Sequence, residues 1–128
     1  MLVIGRLDEK IASILGIDVP DDPMIYLGEQ NIQHMMSSHP DDYSRYGDKI
    51  GEIVSSPDYV YLDTRDGSIE FVKEFVFFGE FIKVAVRATA SSVLYARTLY
   101  VLREERVQSY INSGLLKKCI DNGESTLV

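Results

Sequence analysis

The sequence contains few of the residues that disulfide bonds and membrane insertion require. Of its 128 residues, one is cysteine (Cys119), two are histidine and none is tryptophan. A single cysteine excludes an internal disulfide bond and a zinc site built from cysteines. No run approaches the ~20 apolar residues that cross a bilayer, and the apolar start is too short for a signal-peptide core. We therefore expect a cytoplasmic protein with no membrane contact.

Several enzyme motifs are also missing. The sequence has no G-x-x-x-x-G-K phosphate loop, no G-x-G-x-x-G dinucleotide motif and no G-x-S-x-G nucleophile motif. Each of these patterns places backbone amides or a nucleophile where the corresponding chemistry needs them. Enzymes that depend on these motifs therefore find no support in this chain.

Positive charge is scarce overall but concentrated in one half. Thirteen basic residues against 20 acidic ones give a net charge of −7. This argues against a protein that wraps nucleic-acid backbones non-specifically, because such proteins are usually basic. Residues 1–78 carry 6 basic and 15 acidic side chains, whereas every later basic residue lies between Lys83 and Lys118. Such asymmetry is a hint of nucleic-acid contact, and it is also what a few solvated arginines on a strand and a helix produce.

Length and periodicity predict one domain of the α+β class. A chain of 128 residues with 45% hydrophobic and 26% charged residues is typical of a single soluble domain. Apolar residues recur at helical spacing in three segments, which are 7–15, 29–38 and 41–55. A short extended piece is predicted at 24–27. Because a proline follows His39, we expect this residue at a helix end or in a turn.

From Tyr59 onward the pattern is that of strands. The spacing predicts strands at 59–62, 69–78, 81–88 and 93–102, and then a helix over 103–113. Helices followed by strands indicate an α+β fold. We expect N-terminal helices packed on a roughly four-stranded antiparallel sheet, followed by a C-terminal helix.

The two histidines of the chain lie close together, at His34 and His39. Imidazole exchanges protons near neutral pH, so a pair can supply the base and the acid that cleave RNA. The structural alternative places His34 on a helix surface and His39 in a turn. A metal site, with Asp41 or Asp42 as an oxygen ligand, is a third reading, but the histidine spacing is not the i, i+4 of helical zinc ligands. We expect neither a metal nor another cofactor.

Cations and hydroxyl groups fall on the predicted strands. Lys83 and Arg87 share a strand face, where fixed charge would stabilise a phosphodiester during cleavage. Solvent-facing cations are equally routine on a half-covered sheet. On the next strand Thr98 and Tyr100 share a face, with Arg97 opposite. A hydroxyl group can hold phosphate and tyrosine can stack on a base, but both residue types also favour strands.

Four sequence pieces occur in an order that is similar to a known group. They are Ile32–Pro40 (IQHMMSSHP), Ile50–Val60 (IGEIVSSPDYV), Phe81–Val86 (FIKVAV) and Ala96–Tyr100 (ARTLY). With the helix that follows them, they resemble the phage-associated nuclease-like domains of the barnase/EndoU/colicin/RelE-like (BECR) superfamily. The resemblance runs from Ile32 to about Lys118. On this basis residues 1–28 are an N-terminal extension, 29–118 the nuclease-like region and 119–128 a tail.

The resemblance implies metal-independent RNA cleavage on a concave sheet face. It implies His34 and His39 as acid/base residues. The implied phosphate binders are Lys83 and Arg97, assisted by Thr98 and Tyr100. We therefore predict a catalytic set of His34, His39, Lys83 and Thr98, and a substrate-binding set of Arg87, Arg97 and Tyr100. The net charge of −7 departs from what a ribonuclease would prefer.

The leading prediction is an endoribonuclease of phage or mobile-element origin, in the manner of a toxin, that cleaves RNA by 2′-OH transesterification. Its expected partners are RNA, with tRNA as the example, and an inhibitor or immunity protein. The alternative is a noncatalytic protein-binding module on the same fold, such as a phage or toxin-system partner. A third reading is a phage assembly protein that associates through Phe75, Phe77 and Phe78. Convergence of His34, His39 and Lys83 in one cleft would favour catalysis.

Overall fold

The computed structural model describes residues 1–119. The strands are β1 (Leu2–Arg6), β2 (Met24–Leu27), β3 (Tyr59–Leu62), β4 (Ile69–Phe75), β5 (Glu80–Ala88), β6 (Leu94–Leu102) and β7 (Lys117–Lys118). The helices are α1 (Glu9–Leu15), α2 (Glu29–Ser38), α3 (Pro40–Tyr46), α4 (Ile50–Ser55) and α5 (Glu104–Asn112), with a 3-10 turn at Gly47–Lys49 between α3 and α4. The α+β class predicted from the sequence is confirmed.

All strands belong to one mixed sheet in the order β1-β2-β6-β5-β4-β3-β7. Within it β2 and β6 are parallel and the other neighbours are antiparallel. The prediction of roughly four antiparallel strands is therefore wrong in strand number and in orientation. The four strands predicted after Tyr59 form its centre, while β1, β2 and β7 extend it. Strands of two to five residues carry too few alternations for periodicity to reveal their pairing.

The first 28 residues contribute two of these strands. β1 pairs with β2 at the sheet edge, and α1 lies between them in the chain. Gly5 lets β1 approach α4 closely, because a Cβ at this position would lie 2.6 Å from a methyl carbon of Val54. Its neighbour Ile4 is the extra residue of an irregularity in the β1–β2 register. The segment is thus joined to the sheet by backbone pairing.

Two predicted elements have different ends in the structure. The predicted helix 41–55 is interrupted at Tyr46, where φ is −124° and ψ is 0°, and Gly47 lies under the Tyr43 ring with no room for a Cβ. The predicted strand 69–78 ends at Phe75, because a turn begins there and Gly79 adopts φ +67°. A positive φ is readily available only to glycine.

The sheet separates two apolar cores. The larger core lies under α1 to α4 and includes Ile25, Met35, Ile50, Ile53, Phe71, Ile82, Val84, Val86 and Leu99, all nearly inaccessible. The smaller core lies under α5 and contains Tyr61, Val72, Leu102, Val107 and Leu116. The alternation predicted for residues 82–86 is confirmed, since the even-numbered residues face the larger core. The odd-numbered residues, Lys83 among them, face α5.

A bulge in β6 changes which face of the sheet some of its side chains occupy. This strand has one residue more than the stretch of β5 with which it pairs, and Arg97 is the extra residue. Such an insertion interrupts the alternation of a strand, so Ala96 and Leu99 both enter the larger core although they are three residues apart. Thr98 and Tyr100 remain on the other face. Regular alternation could not have revealed this arrangement.

Candidate functional site

Three of the predicted site residues, His39, Lys83 and Tyr100, meet on the α5 side of the sheet. The His39 imidazole stacks on the Tyr100 ring, with ring centroids 4.8 Å apart. The Lys83 Nζ atom lies 4.6 Å from the centroid of the same ring. Lys83 and Tyr100 are direct partners across β5 and β6. The His39 imidazole and the Lys83 ammonium group therefore contact the same tyrosine ring. The distance from the imidazole centroid to Nζ cannot exceed the sum of the two distances to that ring.

His39 reaches Tyr100 because the chain changes direction between α2 and α3. His39 ends α2 and precedes α3 with φ −141° and ψ 67°, as its neighbouring proline predicted. Its backbone N–H donates to the carbonyl of Met35, a fully buried residue, at 3.0 Å. The Asp42 carboxylate accepts a hydrogen bond from the backbone N–H of Val101 at 3.0 Å. This bond holds the first turn of α3 against β6, beside Tyr100.

Lys83 is a buried cation with a close carboxylate. Its side chain is 10% exposed, and Nζ lies 2.9 Å from Oε1 of Glu70, whose side chain is 3% exposed. Nζ also donates to the Tyr61 hydroxyl at 3.4 Å. Within residues 1–119 this buried Glu70 oxygen therefore has an ion-pair contact with Lys83 but no hydrogen-bond donor.

Burial and neighbouring polar groups shift the pKa values of Lys83 and Glu70 in opposite directions. Burial alone would lower the pKa of Lys83, but Tyr100 and Glu70 beside it raise that pKa above its ordinary value. Burial raises the pKa of the Glu70 carboxyl, and Lys83 opposes that rise. Burial also raises the pKa of Tyr61 to about 12. Lys83 therefore stays protonated at neutral pH, with part of its charge balanced by Glu70.

A cleft of about 340 Å³ opens beside Lys83 and Tyr100. Its aromatic residues are Tyr61, Tyr100 and Tyr110, and its basic residues are Arg65, Lys83 and Arg106. Among its lining residues Asp63 carries the one carboxylate, and Arg65 already pairs with it at 2.9 Å. Aromatic rings beside basic side chains are the groups that bind the bases and phosphates of single-stranded nucleic acids.

The β3–β4 loop forms an ordered wall of this cleft. Asp63 accepts two hydrogen bonds from the Arg65 guanidinium, at 2.9 and 3.2 Å, and these lower the pKa of Asp63 to about 2. Gly67, at φ +76°, donates to the Asp63 carbonyl at 2.7 Å and closes the loop. The Arg65 side chain remains 88% exposed. The loop therefore presents a cation to solvent while its carboxylate fixes that cation in place.

The remaining predicted site residues lie elsewhere. His34 is exposed on α2 and its Nε2 lies 3.4 Å from Ser38 Oγ. Arg87 pairs with Asp66 at 3.3 Å. Arg97 lines a separate cavity with the start of α2 and Tyr95. Thr98 shares the face of Tyr100 but is not part of the cleft lining. His39 and Lys83 thus both contact Tyr100, but His39 is not part of the cleft lining, and His34 lies away from both.

Five residues around the cleft were missed by sequence reasoning. They are Tyr61, Arg65, Glu70, Arg106 and Tyr110. A register for the β4–β5 hairpin would have placed Glu70 near Lys83, because alternation puts both on one face and the turn fixes the offset. Arg106 and Tyr110 are four residues apart on α5, so they share a helix face. No local signal brings α5 onto the sheet at this point.

Within residues 1–119, no three His, Cys, Asp or Glu side chains come together as metal ligands do. None of the described helices has the length and apolar character needed to cross a bilayer.

A family model described as phage-Barnase-EndoU-ColicinE5/D-RelE like nuclease 3 matches residues 1–109. The match starts at residue 1, so it includes the residues that the sequence resemblance had left outside. No curated protein and no solved structure matches the chain.

Proposed function

Because the chain belongs to the phage-Barnase-EndoU-ColicinE5/D-RelE like nuclease 3 family, we propose that it is a metal-independent endoribonuclease that cleaves RNA by attack of a ribose 2′-hydroxyl group. The observation that carries this proposal is the contact of His39 and Lys83 with one tyrosine, Tyr100, beside a cleft lined by aromatic and basic side chains. Family membership supports nuclease chemistry in general, and these residues support the choice of reaction.

In the proposed reaction His39 removes the proton of the 2′-hydroxyl group. The 2′-oxygen then bonds to phosphorus and the bond from phosphorus to the 5′-oxygen breaks, which leaves a 2′,3′-cyclic phosphate. The Tyr100 hydroxyl donates a proton to the departing oxygen and regains one from solvent, while His39 releases its proton to solvent. Lys83 stabilises the charge that gathers on the phosphate oxygens, because a fixed ammonium in a site with little water interacts strongly with it.

Glu70 keeps Lys83 in place in this proposal. An unpaired ammonium group as buried as Lys83 would lose its proton or draw the side chain toward water. The carboxylate of Glu70 at 2.9 Å prevents both. The positive charge that attracts the RNA then comes chiefly from Arg106, because Arg65 is paired with Asp63. The acidic first half limits non-specific binding elsewhere on the surface.

The biological setting is a further part of the proposal. A phage- or mobile-element-derived nuclease that acts as a toxin would take a cellular RNA such as tRNA as substrate. It would also need an inhibitor or immunity protein to protect the cell that makes it. The family description supports the phage association.

The test is cleavage of total RNA and purified tRNA in excess EDTA. We expect discrete fragments that end in 2′,3′-cyclic phosphate. His39→Ala should lower the rate by about 10²–10⁴-fold, the usual contribution of an acid/base group. His34→Ala is the matched control, since it removes the same side chain from an exposed position that is not stacked on Tyr100. Tyr100→Phe keeps the stacked ring and removes the proposed acid.

The outcomes of these experiments distinguish the proposed reaction from its alternatives. Cleavage that survives His39→Ala would contradict the proposal. Loss of cleavage in His34→Ala as well would support the predicted histidine pair and remove Tyr100 from the role of acid. Dependence of the cleavage on added divalent cation would exclude the metal-independent reaction.

A noncatalytic protein-binding module is the second candidate, and one observation favours it. The turn between β4 and β5 exposes three consecutive apolar residues, with Val76 77%, Phe77 92% and Phe78 60% accessible. Turns normally carry Gly, Pro, Asn, Asp or Ser, and exposed apolar patches mark interaction sites. Absence of cleavage at high protein concentration would favour this candidate, with the turn as its contact surface.

A further inference from the structure

We infer that the α5 side of the cleft is a nucleotide-binding subsite that takes one unpaired RNA nucleotide next to the scissile phosphate. Tyr110 would stack on the base and Arg106 would bind the adjoining phosphate. The inference rests on the proposed function, since it deepens the same site. It adds residues and a substrate class, unpaired RNA, which nuclease chemistry alone does not specify.

Tyr110 is held in position by its neighbours. Its ring meets the buried Tyr61 ring edge to face, with centroids 5.5 Å apart, and Val107 on the same helix is fully buried in the smaller core. Tyr110 itself is only partly buried and lines the cleft. An aromatic ring that is fixed on one side and open on the other is suited to base stacking.

Arg106 differs from the other two cations of the cleft in how its charge is balanced. Lys83 is balanced by Glu70 and Arg65 by Asp63. The contact of Arg106 is a hydrogen bond from its Nη1 to the neutral Tyr110 hydroxyl at 3.4 Å, and its side chain is exposed. Within residues 1–119 the Arg106 guanidinium has no carboxylate partner, and such a group beside a stacking ring matches the alternation of phosphate and base along a nucleic-acid strand.

The shape of the site favours an unpaired nucleotide over a duplex. A base in a duplex is stacked on both faces, so it cannot lie on a protein ring without leaving the helix. The cleft is lined by α5 and by the β3–β4 loop, and its volume is about 340 Å³. A duplex could contact its rim, but only a base turned out of its stack could reach Tyr110.

The test measures binding without cleavage. A fluorescent single-stranded RNA with 2′-O-methyl groups at every position cannot undergo the proposed reaction, so its affinity does not depend on catalysis. Fluorescence anisotropy would compare this strand, the same strand in a duplex and free mononucleotides. Arg103→Ala is the matched control for Arg106→Ala, because Arg103 is also an exposed arginine at α5 but lines a different cavity. Tyr110→Leu and Tyr110→Phe separate loss of the ring from loss of the hydroxyl.

We expect the single strand to bind more tightly than the duplex or the mononucleotides. Arg106→Ala should weaken binding of the single strand about tenfold, as for loss of a charge-assisted contact, and Arg103→Ala should change it far less. The slope of log K against log salt should become shallower by about 0.7 in Arg106→Ala alone. Tyr110→Leu should weaken binding about 5- to 160-fold, the range for a lost base stack, and Tyr110→Phe should retain most of the affinity.

Equal losses in the two arginine variants would overturn the inference, as would equal binding of duplex and single strand. Mononucleotide binding as tight as that of the strand would assign the cleft to a small nucleotide and would also overturn it. Equal losses in Tyr110→Leu and Tyr110→Phe would remove the stacking role. Tight strand binding by a protein that cleaves no RNA would contradict the proposed function and leave the subsite standing.

Discussion

Lys83 and Glu70 form a buried ion pair, and removing either partner should lower the free energy of unfolding by several kcal/mol. Their side chains are 10% and 3% exposed, and removing one partner of such a pair typically destabilises a protein by about 3–5 kcal/mol. An upper limit follows from neutralising the group left behind. At pH 7 this costs about 4.6 kcal/mol for a lysine and about 3.7 kcal/mol for a glutamate, from their ordinary pKa values.

We therefore expect Glu70→Met and Lys83→Met each to lower the free energy of unfolding by about 3–4 kcal/mol at pH 7. With an m-value near 1.5 kcal/mol/M, the urea midpoint should fall by about 2–3 M. The double variant has no buried charge, so it should be far more stable than the sum of the two single losses predicts. This non-additivity measures the interaction of the pair.

The two single variants should respond to pH with opposite signs. In Lys83→Met the pKa of Glu70 is raised by burial without an opposing cation, so the folded state binds more protons than the unfolded state and stability falls as pH rises from about 5 to 7. In Glu70→Met burial lowers the pKa of Lys83 with Tyr100 but no carboxylate left to oppose it, so stability rises as pH increases from about 7 to 9. The double variant should show neither slope.

Urea unfolding followed by circular dichroism, at several pH values in this range, measures all these quantities. Coincident transitions from tyrosine fluorescence would establish that the variants unfold in two states. Single variants within about 0.5 kcal/mol of the parent protein, the range of surface substitutions, would refute the argument that Lys83 and Glu70 are buried and coupled. Additive losses in the double variant would refute the coupling alone.

Three further predictions concern other parts of the molecule. Asp42→Ala should destabilise the protein by about 1–3 kcal/mol in urea unfolding, because the Val101 N–H loses its charged acceptor, and Asp42→Asn, which keeps an acceptor, should lose less. Burial raises the pKa of Cys119 to about 11, so at pH 8 its reaction with a disulfide reagent should be about a hundredfold slower in the folded protein than in urea; equal rates would contradict this. Phe77→Ser should change the free energy of unfolding by less than about 0.5 kcal/mol, because the residue is 92% exposed, and a larger loss would show that its ring packs against the fold.

Local sequence patterns predicted many elements correctly. The strand Tyr59–Leu62 and the helix Glu29–Ser38 have the predicted bounds, because their periodicity and their flanking breaks are local. His39 was expected at a helix end because of the proline after it, and it lies between α2 and α3. The family resemblance was confirmed, and it too rests on short pieces in a fixed order.

These local patterns could not predict which strands pair with each other. The parallel contact of β2 with β6 joins residues about 70 positions apart, and a bulge at Arg97 changes which side chains share a face. Register depends on turn geometry and on what each face buries. A strand of ten residues looks regular in sequence whether or not its partner has one residue fewer.

By itself, the sequence determined the fold class, most helices and strands, the nuclease-like family and a set of residues able to exchange protons or hold phosphate. Tertiary structure alone decided which of them meet. His39 and Lys83 contact Tyr100 because a helix end packs against one strand and a neighbouring strand faces it, while His34, five residues away in the chain, points to solvent. The chemistry that a side chain can perform depends on its residue type, but the distances between side chains follow from backbone pairing and core packing across the whole chain.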